Sequence, residues 1–106
     1  HKHQGQLCNG VHIHAEGPAY DHQSFRPWRL QALALKAIGT LHPGYELWSD
    51  FAYEYVEDRL AFDVINGGPS LREWIENPSA TANDLDALAL PDERVWAETI
   101  GEHLLY

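Results

Sequence analysis

Between Phe25 and Leu41 the chain reads FRPWRLQALALKAIGTL, and no other stretch constrains its fold as tightly. Leu30, Ala34, Ala37, Ile38 and Leu41 recur at spacings of three and four, and Leu33 widens the stripe. That period belongs to a helix, not a strand. Pro27 falls in the first turn, where its missing N–H costs nothing, and Pro43-Gly44 stops the run. Such a helix draws most of its stability from packing its apolar stripe against a partner layer, so the other segments must supply one.

Upstream, residues Gln6 to Ala15 alternate as a strand does. Leu7, Val11 and Ile13 share one face, Cys8, His12 and His14 the other, and Gly10 marks a bulge. The stretch EGPAYDHQS carries turn chemistry. Tyr45 to Tyr55 alternates loosely and reads as one or two short strands. Leu60 to Ile65 suits either a strand or one and a half helical turns, ended by Asn66-Gly67-Gly68. Pro69 opens a short helix through Glu76 with Leu71, Trp74 and Ile75 inward, and Asn77-Pro78 stops it. Residues 78–83 read as a polar loop. A last helix is expected from Pro91, as its first-turn proline, toward Leu105, with Val95, Trp96, Thr99 and Ile100 on one face. The predicted architecture is α+β: a small sheet packed against about three helices.

A length of 106 residues allows one domain, and 44% apolar content with four tryptophans is that of a folded globule. Sixteen acidic against seven basic residues give a formal charge of -9, which disfavours nucleic acid and anionic membrane surfaces as partners. No apolar run approaches the roughly 20 residues of a membrane span. The single cysteine precludes an internal disulfide. The chain starts at His1 and enters its first patterned stretch without a lead-in, so it is expected to be an excerpt of a longer protein.

The opening HKHQGQLCNGVHIH holds four histidines and the only cysteine. His12 and His14 are two apart, as are His1 and His3, which puts each pair on one face of a strand, a spacing used by metal sites. A zinc or iron site needs three or four converging ligands, and Asp21 or Asp63 is available to complete one. Cys8 and His12 would stand about 13 Å apart on a strand, too far to chelate one ion. A cysteine nucleophile generally meets its base only in the fold, so this proximity is no support, and a lone strand cysteine mostly packs. The aromatics Trp28, Tyr45, Trp48, Tyr53 and Tyr55 offer either core or stacking surfaces for a sugar, and no carboxylate pair for glycoside hydrolysis stands out. Asp63 and Asn66, ahead of Gly67-Gly68, read mainly as capping and turn residues.

Four stretches, HKHQGQLCNGVHIH, SFRPWRLQALALKAIGTLHP, LAFDVINGGPSLREWIE and the terminal HLLY, together resemble the C-terminal domain of the NamZ-like exo-β-N-acetylmuramidase family. The matching positions begin with Lys2, His3, Gly5, Cys8, Gly10, Val11 and His14, then Phe25 and Pro27. They continue through Leu60, Asp63, Gly67, Leu71, Arg72 and Ile75 to Leu104, Leu105 and Tyr106. Glu54 to Asp58 and Asn83 to Asp86 depart from the pattern.

The resemblance implies an auxiliary domain of a two-domain bacterial hydrolase, periplasmic or secreted, that serves cell-wall turnover. Its N-terminal Rossmann-like domain would carry the catalytic glutamate, so no catalytic residue is expected among these 106 residues and the domain alone would be inactive. The active site would lie in the cleft between the two domains, with no cofactor. The implied activity removes terminal N-acetylmuramic acid from non-reducing ends of peptidoglycan fragments. The expected partners are the N-terminal domain and a muropeptide or disaccharide substrate. The residues expected to touch substrate are Lys2, His3, Asn9, His12, His14 and Asp63, with Lys2 suited to the lactyl carboxylate. Two alternatives stand beside it: a metal-binding domain built on the two HxH pairs, and a non-catalytic interaction module.

Overall fold

A computed structural model describes residues 3–105. Four helices form among them: α1 (Pro27–Leu41), α2 (Ala61–Ile65), α3 (Ser70–Glu76) and α4 (Ala82–Gly101). No sheet exists among the described residues, so the α+β expectation is corrected to an all-helical core with long irregular segments. Residues 6–15, predicted as a strand, run exposed and unpaired, with Leu7 94% accessible. Alternation shows only that one face of a segment is apolar, whereas a strand also needs a neighbour to take its N–H and C=O groups. Residues 45–55 provide no such neighbour. Their one ladder contact joins Tyr53 and Val56, through N–H···O bonds of 3.2 and 2.9 Å, around a two-residue turn. Glu54 and Tyr55 hold φ of 51° and 65° there, the left-handed pair of a type I′ turn.

The core is a cluster of Ala32, Leu71, Trp74, Ile75 and Leu85, where α1, α3 and the first turns of α4 meet. α3 buries Leu71, Trp74 and Ile75, as its period predicts. α1 starts at Pro27, two residues after the expected Phe25, and ends at Leu41 before Pro43 as expected, but the face it buries differs from the predicted stripe. Ala32 is sealed and Leu33, Leu35 and Lys36 are half-buried, whereas Ala34, Ala37, Ile38 and Leu41 face outward. α1 is apolar around most of its circumference, so its period alone does not choose which face meets α3.

Gly39 lies on the inward side of α1 because the loop returns there: a Cβ at this position would meet Leu47 Cδ1 at 3.0 Å. Lys36 lies over the Trp74 ring, with Nζ 4.7 Å from the centroid, and donates to the carbonyls of Trp74 (3.0 Å) and Asn77 (2.6 Å). These are orphan acceptors at the end of α3, where a cation is also favoured by the helix dipole.

The last helix starts nine residues before the predicted one. Thr81 caps it with Asp84 in a reciprocal box: Asp84 Oδ2 accepts the Thr81 N–H at 2.7 Å, and the Thr81 hydroxyl accepts the Asp84 N–H at 3.4 Å. Pro91 therefore lies inside α4 and does not open it. Lacking an N–H, it leaves the Ala87 carbonyl without its helical donor. Beyond it the helix leaves the core, with Val95 and Trp96 both exposed.

Candidate functional site

The segment ahead of α1 folds back along the helix and encloses a cleft of about 650 Å³. Phe25, Leu30 and Leu33 provide its apolar floor, and Leu33 also packs against the core cluster, so the cleft borders the core along α1. Tyr20 stands edge-on to Phe25, ring centroids 5.6 Å apart, and its hydroxyl lies 3.2 Å from His22 Nδ1. Asp21 fixes the turn that brings the segment back: its carboxylate accepts the Gln23 N–H at 2.9 Å, and its carbonyl accepts the Phe25 N–H at 3.0 Å. Hydrogen bonding from Ser24, then from Gln23, holds the Asp21 carboxyl below the usual carboxylate range.

Two arginines reach this cleft. Arg29 is committed to Asp86 on α4 by a two-point pair, Nε to Oδ1 at 2.6 Å and Nη2 to Oδ2 at 3.0 Å. The hydrogen bond from Arg29 lowers the Asp86 carboxyl in turn. Arg26 donates only through Nη1, to the carbonyls of Gln23 (2.6 Å) and Phe25 (3.3 Å), and forms no ion pair among the described residues.

The residues expected from sequence fall in three places. His14 lines the cleft, with Nδ1 3.4 Å from Glu16 Oε1, and the His12 ring lies against it at a centroid distance of 4.2 Å. His3 and Asn9 are exposed farther along the segment, His3 bonded to Gln6 at 3.0 Å. Lys2 lies outside the described residues. Asp63 is not part of this cleft. It is buried at the start of α3's packing surface, where Arg72 donates to both its oxygens, from Nε at 2.9 Å and from Nη2 at 2.9 Å. Arg72 also reaches Glu76 at 3.3 Å, and Glu76 accepts the Trp48 Nε1–H at 2.7 Å. Asp63 thus fastens α2 to α3 and, through Glu76, the loop bearing Trp48.

Cys8, read as a packing residue, is exposed. No three of His, Cys, Asp and Glu converge on a metal-sized position among the described residues. Tyr20, Arg26 and Arg29 are cleft residues that the sequence reading did not select, and Asp21, considered there as a metal ligand, lines the cleft as a turn residue. A signal existed: Arg26 and Arg29, two of only seven basic residues, flank Pro27 at the start of α1.

The family model described as exo-beta-N-acetylmuramidase NamZ, C-terminal, matches residues 1–106, the whole chain. No curated protein and no solved structure gives a match.

Proposed function

The chain belongs to the family of NamZ exo-β-N-acetylmuramidase C-terminal domains, a glycoside-hydrolase component, and from that premise we propose that its cleft is one wall of the substrate site. In this reading an N-terminal domain supplies the catalytic carboxylate. The present domain holds the sugar, and the hydrolase releases terminal N-acetylmuramic acid from the non-reducing ends of peptidoglycan fragments.

The observation that carries the reading is the pairing of the whole-chain family match with a cleft of matching chemistry. Phe25 and Tyr20 offer apolar ring surface to a pyranose, while His14 and, beside it, His12 offer donors and acceptors for hydroxyls and the N-acetyl group. His3 and Asn9 belong to the same segment and would extend the wall, and Lys2, outside the described residues, is kept as a proposed substrate contact. Asp63 serves as support. The outward apolar face of α1, with Ile38 and Leu41 exposed, is the surface that the N-terminal domain would cover.

The experiment is hydrolysis by the full-length protein of a chromogenic β-N-acetylmuramide and of peptidoglycan fragments ending in that sugar. Release of N-acetylmuramic acid is expected, with His14→Ala raising KM more than it lowers kcat. A full-length protein that leaves both substrates intact between about pH 5 and pH 9 would overturn the proposal.

A further inference from the structure

Within that reading, on which it rests, we propose that Arg26 recognises a carboxylate on the 3-O side arm of the bound amino sugar and so sets the specificity of the cleft. The starting observation is an imbalance of charge. Six of the basic residues are described, and five are employed elsewhere or lie off the cleft. Arg29, Arg59 and Arg72 pair with carboxylates, Lys36 caps α3, and Arg94 sits on the projecting part of α4. Among the described residues Arg26 alone lines the cleft without an ion pair.

The acids beside it are already turned to other partners. Glu16 faces His14, and Asp21 accepts the Gln23 N–H inside its own turn, although it lies near enough for the Arg26 charge to help lower its pKa. In a chain of charge -9, an anion entering this cleft meets, among the described residues, one arginine without an ion pair. Nη1 of Arg26 is anchored on the Gln23 and Phe25 carbonyls, which fixes the guanidinium plane. Nε and Nη2 make no hydrogen bond among the described residues. That free edge is a two-donor fork matched to the two oxygens of a carboxylate. The apolar floor at Phe25 and Leu30 lies beside it, so one ligand can place a ring face on the floor and an anionic arm on the fork. Muramic acid differs from glucosamine by a 3-O-lactyl carboxyl group, which makes that arm the one feature a muramidase must read.

The carboxylate has two sources: the free lactyl group, or the terminus of a short peptide amide-linked to it. Three chromogenic β-muramides separate them: the free acid, its uncharged methylamide and its L-alanyl conjugate. Each is assayed with full-length wild type, Arg26→Ala, Arg26→Gln and Arg26→Lys. Arg26→Gln keeps a donor to the anchoring carbonyls should the alanine variant melt early.

The expected result is a loss of about 10- to 100-fold in kcat/KM on the acid with Arg26→Ala or Arg26→Gln. The loss on the methylamide should stay under about 2-fold, and Arg26→Lys should fall between, keeping the charge without the fork. The same selective loss on the alanyl conjugate instead of the free acid identifies the peptide terminus as the carboxylate read. Equal losses on all three, or none, overturn the assignment. Calorimetric binding of free N-acetylmuramic acid and of its amide supplies a readout independent of turnover. Binding of the acid that Arg26→Ala abolishes, in a protein that hydrolyses nothing, would leave the assignment standing and remove the hydrolase reading. Absence of both binding and turnover removes both.

Discussion

Asp63 shows how a residue's surroundings decide its role. In LAFDVI it is a lone carboxylate in an apolar run, and a ligand contact is one natural reading. Its partner Arg72 stands nine residues away on another helix, and only the fold brings the two within 2.9 Å. Removing one member of a buried pair leaves the other desolvated and unmatched, whereas replacing both by apolar groups restores balance. Asp63→Asn is therefore expected to lower stability by roughly 2–3 kcal/mol and the melting temperature by about 10 °C. The Asp63→Leu/Arg72→Leu double variant should lose less than the single one. Thermal melts of the three proteins decide it, and a single variant that melts like wild type would show that the pair holds nothing. Lys36 is a parallel case: no period in the sequence reveals that its ammonium group ends α3.

At the scale of elements, the sequence was most legible where punctuation and period agreed. Pro27 and Pro43 bound α1, and Pro69 and Asn77 bound α3, as expected. It misled where one signal was weighed against nothing. Pro91 suits a first helical turn, but Thr81-Ala82-Asn83-Asp84 is a capping box and starts the helix earlier. Alternation at residues 6–15 carried no information about a pairing neighbour, and the apolar breadth of α1 hid which face would be buried. In the cleft the His12 and His14 rings do lie together, though not on the strand from which their pairing was read, while Arg26 and Tyr20 were not legible, because turn segments have no period to read. Thr81→Ala should cost about 1 kcal/mol. Because Leu85, wholly buried, lies one turn inside the cap, that loss should appear in global melting as well as in local fraying. Amide exchange along α4 would check the division: residues before Pro91 protected up to the global opening, residues 92–101 exchanging far sooner. Uniform protection along the helix would contradict it.

The whole molecule is extended for its length, with a radius of gyration of 17.0 Å against about 13 Å for a compact chain of this size. Its response to acid follows from three carboxyls held below their ordinary value: Asp21 by Ser24 and Gln23, Asp84 by Thr81, and Asp86 by Arg29. A group whose folded pKa is depressed contributes stability above its unfolded pKa, near 3.9 for aspartate, and that stability is lost as pH falls through the folded value. Melting temperature should thus hold from neutrality to about pH 5, then fall below about pH 4, and Asp86→Asn should flatten the fall. A melting temperature still climbing at pH 3 would refute this.

The cleft has two walls of different standing. One is α1, locked against α3 and α4; the other is the segment around His14 and Tyr20, which the core does not use. Mutational drift along that second wall meets little penalty in foldedness. If the cleft holds the proposed sugar, its ligand preference is free to diversify there while the scaffold stays constant, a separation of evolvability from stability within a single small chain.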